Sequence, residues 1–264
     1  MRARRTSKLS TARHERKECH EGRDRYGESD SRHPSGPGGM PMGAVIGDIL
    51  PLALGVAISP IPIIAAILML LSPKARVTSV GFLLGWVIGI VVAVTVFTLL
   101  SSVLPEDDPD ASKPIQGVIQ LILGVLLLLL AVRQWRGRPK AGEDPKMPKW
   151  MQAIDKVTFP VAFGLGFLLS AINPKNLLMA AGAGVDIGSA SLETGEIVLV
   201  IAIFTLLAAS TVLVPVVGYL IAADRLRGPL DALRVWLGRE NAIIMAVLLL
   251  VIGVSMIGKG IGSF

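Results

Sequence analysis

The run Asp48-Ile-Leu-Pro-Leu-Ala-Leu-Gly-Val-Ala-Ile-Ser-Pro-Ile-Pro-Ile-Ile-Ala-Ala-Ile-Leu-Met-Leu-Leu-Ser72 decides the fold class. Between Asp48 and Lys74 the chain carries no charged side chain. At about 1.5 Å rise per residue, a helix of that length crosses a hydrocarbon core of roughly 30 Å. The run is continuously apolar rather than alternating, so it reads as a membrane-spanning helix and not as a barrel strand. Its middle nevertheless holds Ser59-Pro60-Ile61-Pro62. Proline removes a backbone donor and clashes with the carbonyl one turn earlier, so the helix is expected to break there.

Working outward, six such runs are read, at about 44–71, 77–104, 115–133, 159–185, 196–223 and 241–260. The expected fold is an all-α polytopic membrane protein with six transmembrane helices, formed by residues 42–264. Composition agrees. Of the 264 residues, 52% are hydrophobic and 17% charged, where a soluble domain carries about 25% charged residues. Aromatic residues make up only 5%, and the small aliphatic residues that fill the spans suit close helix packing in lipid.

Residues 1–41 form a separate basic tail, rich in Arg, Glu, Ser and Gly. Such a segment cannot bury enough apolar surface to offset its conformational entropy and is expected to be disordered. It lacks the apolar core of a secretory signal. The only cysteine, Cys19, and all three histidines, His14, His20 and His33, lie in it. A disulfide framework, a metal site in the spans and a Ser/His/Asp catalytic set are therefore not expected. No phosphate-binding Gly-x-x-x-x-Gly-Lys-Ser/Thr loop is present. No catalytic residue, cofactor or metal is assigned, and the chain is not read as an enzyme. Because much of the +6 net charge sits in the tail, it does not argue for nucleic-acid binding by the folded part.

Orientation follows from Lys/Arg asymmetry. Lys74 and Arg76, the loop 134–158 with Arg133 at its edge, and Arg225, Arg227, Arg234 and Arg239 all fall on one side of a six-span topology. The opposite loops hold Lys113 as their one basic residue and acidic Glu106, Asp107, Asp108, Asp110, Asp186 and Glu193. The basic side is expected to be cytoplasmic in a bacterial cell membrane, with both termini outside. A basic tail would then have to cross the membrane, so a translation start at Met40 or Met42 is expected. Trp150 to Val157 reads as a short interfacial helix.

Three spans precede the central basic loop and three follow, so the halves are expected to insert as inverted repeats. Gly55-Val-Ala-Ile-Ser59 parallels Gly166-Phe-Leu-Leu-Ser170, and Asn173-Pro174-Lys175-Asn176 interrupts span four as Ser59-Pro60-Ile61-Pro62 interrupts span one. Broken helices at matching places in inverted halves point to a substrate site near the membrane midplane. The candidate substrate-binding residues are Ser59, Pro60, Pro62, Ser170, Asn173, Pro174, Lys175 and Asn176. Ser59 and Ser170 could donate to substrate or cap a half-helix, and half-helix N-termini favour a negative group. Lys175 is the ionisable residue deepest in a span; it reads either as a seat for an anion or as a side chain snorkelling to the interface. Gly81, Gly85 and Gly89 read as a packing stripe. Asp48 and Asp186, near outer span ends, read as solvated, with gating or proton coupling as the alternative.

The Asp48–Arg76 stretch, Phe82-Leu-Leu-Gly-Trp86, Asn173-Pro-Lys-Asn-Leu177 and Val214-Pro215 through Asn241-Ala242 together resemble the sulfolipid-addressing, or peptidoglycolipid-addressing, family, over roughly residues 43–260. That family belongs to the lysine-exporter superfamily of small six-span transporters. The resemblance implies a role in moving complex glycolipids to the surface of actinobacterial envelopes. It also implies assistance to a larger lipid transporter or synthase. The expected partners are a lipid or small-molecule substrate and the membrane, with a homodimer permitted by the glycine-rich spans and no nucleic acid. Two other readings stay open. One is a small-solute exporter for amino acids or ions. The other is a non-transporting scaffold that docks through the basic loop.

Overall fold

The computed structural model describes residues 41–102, 114–138 and 157–264. The basic tail up to residue 40, the acidic segment at 106–110, most of the central basic loop and the expected interfacial helix up to residue 156 lie outside the described residues. Among the described residues every regular element is a helix. They are α1 (Met42–Ala57), α2 (Pro60–Leu71), α3 (Ala75–Ser102), α4 (Pro114–Arg136), α5 (Phe159–Ala171) and α6 (Pro174–Gly188). Helical chain then runs from Thr194 to Gly262. A break at Ala222 (φ −139°, ψ 54°) divides it into α7 (Thr194–Ala223) and α8 (Arg225–Gly262).

Four helices are individually long and apolar enough to cross a membrane. The pairs α1/α2 and α5/α6 pass together, bent by 52° and 59°, which gives up to six spans. The two expected breaks are thus present. Pro60 and Pro174 each stand at the start of the second half-helix, where the missing N–H is unneeded and the fixed φ fits. Outward-facing Leu99, Leu129, Leu206 and Val214 are 60–67% exposed. A belt of that kind suits lipid, not water.

Two boundaries differ from the sequence reading. Of residues 224–240, expected as a loop, 225–240 are helical and belong to α8. Leu226, Leu230 and Leu237 lie along one face, with Leu230 and Leu237 buried while Arg225, Arg227 and Arg239 are exposed. An amphipathic helix of this kind escapes a search for continuously apolar runs. For the same reason α4 continues past the expected end at 133 to Arg136.

Small residues set the close approaches. A Cβ on Gly85 would collide with the Phe163 carbonyl, and one on Gly166 with the Phe82 carbonyl. Gly81 lies against Phe159 and Gly89 against Ser170, so α3 and α5 pack parallel with the expected glycine stripe as their seam. The α4–α8 seam is antiparallel. A Cβ on Gly124 would lie 2.9 Å from the Gly253 carbonyl, and one on Gly260 2.9 Å from the Gly117 carbonyl. Only glycine permits such contact, which brings backbones together where apolar attraction between helices is weak.

The broken spans run in opposite directions. At one end Asp48 of α1 and Asp186 of α6 both reach Lys259. At the centre Ser59 meets Asn176. As the number rises on one chain it falls on the other, which is the antiparallel arrangement expected of inverted halves.

Candidate functional site

A helix broken inside a membrane leaves carbonyls without donors, and each must find one. At the first break three of these carbonyls are met by side chains. The Gly55 carbonyl accepts from Lys175 Nζ at 2.6 Å. The Val56 carbonyl accepts from Ser59 Oγ at 2.6 Å. The Ala57 carbonyl accepts from Thr211 Oγ1 of α7, also at 2.6 Å. At the second break Asn176 Nδ2 donates to the Leu169 carbonyl at 2.9 Å, and Asn173 Oδ1 caps α6 by accepting from the Lys175 backbone N–H at 3.1 Å. Ser59 stands at the N-cap position of α2 but makes no cap bond.

Lys175 ties the breaks together. Its ammonium donates to Ser59 Oγ as well as to the Gly55 carbonyl, and the Asn176 Oδ1 lies 3.4 Å from the same hydroxyl. Lys175 is only 7% exposed, so it does not snorkel to the interface. The partners found among the described residues are neutral oxygens; none of the ion pairs there involves Lys175. An amine held only by dipoles is, when protonated, electrostatically uncompensated and attracts an anion strongly at low dielectric.

Beside it lies a cavity of about 280 Å³. Ser59, Pro60, Pro62, Asn173, Pro174 and Lys175 line it. Both half-helices α2 and α6 therefore start at its wall, with the positive ends of their dipoles towards it. Asn176 is buried behind this wall. Ser170 is not part of it. Its hydroxyl donates back to Gly166 and Phe167 at 3.0 Å and packs on Gly89, so its place is in the α3–α5 seam.

The sequence reading missed the opposite wall: Leu130, Arg133 and Gln134 of α4 with Asn241, Met245 and Leu249 of α8. Arg133 is exposed at the mouth and adds a second cation. The buried Oδ1 of Asn241 has no hydrogen-bond partner among the described residues. Positions 130, 133 and 134, and 241, 245 and 249, each follow helical spacing. Only Gln134 lies beyond the expected spans; what the sequence does not show is that these faces of α4 and α8 meet across the breaks.

Asp186 corrects a further expectation. It is buried, not solvated. Its Oδ2 pairs with Lys259 Nζ at 3.0 Å and its Oδ1 accepts from Gln120 Nε2 at 2.9 Å. Asp48 remains partly exposed and pairs with the same ammonium at 2.9 Å. No group of His, Cys, Asp and Glu among the described residues could hold a metal ion.

These features define a multi-pass α-helical membrane protein with two broken spans crossed antiparallel around an interior lysine. The family model for Sap, the sulfolipid-1-addressing protein, matches residues 49–262. The chain belongs to this sulfolipid-1-addressing family. No curated protein and no solved structure gives a significant match.

Proposed function

We propose that the protein works in the cell membrane as a transport protein that helps deliver an anionic glycolipid to the envelope surface. The lipid head group would bind in the cavity between the breaks, and Lys175 carries this reading. It is a buried cation with neutral partners at the wall of a cavity. Arg133, the Asn241 amide and the two half-helix N-termini complete an anion-friendly lining. Pro60, Pro62 and Pro174 shape the breaks that free these groups.

A lipid suits this architecture better than a small solute. An apolar groove of about 560 Å³ runs between α1 and α8, lined by Pro51, Leu54, Ile58, Val247 and Val251. Gly55 belongs to that groove, and its carbonyl binds Lys175. A head group at Lys175 could therefore keep its acyl chains in the groove. The cavity lies towards the end of the molecule that carries Arg133, Gln134 and the basic start of α8. By the positive-inside rule this end is cytoplasmic, with both termini outside. A larger lipid transporter or synthase would be the functional partner.

The test is a deletion strain complemented with the wild-type chain or with Lys175→Met. Surface-extractable glycolipid, total glycolipid and amino acids in the medium are measured together. The expected outcome for Lys175→Met is loss of surface lipid with the total pool retained and normal amounts of membrane-inserted protein. Full surface lipid in that variant removes Lys175 from the site. An altered amino acid or ion with unchanged lipid supports the small-solute exporter instead. Loss of function on neutralising the basic loop, but not on changing Lys175, supports the scaffold.

A further inference from the structure

The interior cavity reaches only part of the way through the bundle. Beyond Lys175, towards the opposite end, the space between α1, α6 and α8 is filled in two layers. The first is apolar. Leu52, Met179, Ile252 and Met256 are each at most 5% exposed. Met179 and Ile252 close over Gly55, and Leu52 and Met256 close over Gly182. The second layer is ionic. Lys259 of α8 holds Asp48 Oδ1 at 2.9 Å, the Asp48 carbonyl at 3.3 Å and Asp186 Oδ2 at 3.0 Å. Gln120 of α4 braces Asp186 from the far side, and Ser263 lies 3.4 Å from Gln120 Oε1.

These layers join both broken spans to spans three and six. Asp48 lies eleven residues before Ser59, and Asp186 eleven residues after Lys175. At about 1.5 Å per residue this places the ionic layer roughly 16 Å from the breaks. One lysine between two carboxylates is also poised to part. The three charges cannot all be matched, the Asp48 and Lys259 side chains are 38% and 26% exposed, and the thioethers below can repack at little cost.

We propose that Asp48, Asp186 and Lys259, with the Leu52–Met179–Ile252–Met256 layer beneath them, form the gate that closes the path from the interior cavity to the membrane face opposite the basic segments. This rests on the cavity being a ligand path. Its test uses no substrate, so it fails independently of the lipid reading.

The full-length chain with Cys19→Ser and Met245→Cys is placed in right-side-out and inside-out vesicles. Each preparation is treated with a membrane-impermeant thiol reagent, and the labelling rate of the introduced thiol is compared. With the gate residues intact, labelling is expected from the basic-segment face and at least tenfold slower from the other. Lys259→Asp is expected to raise the rate from the far face at least tenfold. Adding Asp186→Lys to that variant re-forms an opposite-charge pair and is expected to restore protection. Should Lys259→Asp fail to give monodisperse protein, Asp48→Asn, at the partly exposed acid, replaces it and should raise the far-face rate severalfold. Fast labelling from the far face with all three residues intact overturns the proposal. So does an unchanged far-face rate in the folded gate variants.

Discussion

Among the described residues, Lys175 and Lys259 both make contacts between helices of the bundle, and they are held in opposite ways. Lys259 sits at one end between two carboxylates, its charge more than matched. Lys175 sits at the crossing of the broken spans, held by a carbonyl and a hydroxyl and by no carboxylate among the described residues. A paired charge explains itself: it fastens α1, α6 and α8. An unpaired one does not. Its bond to Gly55 satisfies a freed carbonyl, but a neutral donor would serve there without the desolvation cost of a charge. Thr211 does that task for Ala57. The difference separates a fastening from a seat, and under the proposed function a negative head group is the complement of Lys175.

Four substitutions can break or sharpen this contrast. The largest effect is expected from Lys175→Met, which removes a charge-assisted hydrogen bond of about 1.5–3 kcal/mol to the ligand. That corresponds to roughly a tenfold to hundredfold loss of anionic-lipid affinity. Its melting temperature in detergent should change little, because the lost bond to Gly55 and the removed buried charge act in opposite directions. A collapse of stability with unchanged affinity would make Lys175 a fastening as well.

Lys259→Met should invert that pattern, with ligand affinity in the cavity nearly unchanged. Breaking a fully buried pair costs about 3–5 kcal/mol. With Lys259 and Asp48 partly exposed, the expected loss is nearer 1–3 kcal/mol, read from thermal unfolding in detergent. Adding Asp186→Asn should recover part of it, since the stranded buried charge is then gone.

Thr211→Val leaves the Ala57 carbonyl with a weaker set of donors and should lower stability by about 1 kcal/mol in the same assay. The smallest effect is expected from Arg133→Gln. Its exposed charge at the mouth should contribute a few-fold in affinity, and that contribution should fade as salt is raised from low ionic strength to about 0.5 M. An Arg133 effect that exceeds Lys175→Met would move the seat from the crossing to the mouth.

Much of this architecture was legible in the chain. Continuous apolar runs marked the spans, and Pro60, Pro62 and Pro174 marked where two of them break. Gly81, Gly85 and Gly89 marked a helix seam. These are local signals, because proline and glycine act through their own backbone. Contacts between distant residues left no such trace. Asp186 looked solvated because it lies just past an apolar run; its partner Lys259 is 73 residues away and meets it only through the fold. Ser170 matched Ser59 in the repeat, yet the turn of α5 aims it at Gly89. Arg133 and Asn241 stood at the outermost positions of the expected spans, and nothing local to either showed that α4 and α8 face the breaks together.

The central claim is that Lys175 seats an anionic head group between the broken spans. Its most direct test is equilibrium binding of a sulfated glycolipid and its desulfated analogue to the purified wild-type chain and to Lys175→Met, all in the same neutral detergent. The account expects the wild type to bind the sulfated lipid at least tenfold tighter than the neutral one, and Lys175→Met to lose that preference. Equal binding of the two lipids by the wild type, or an undiminished preference in folded Lys175→Met, would contradict it.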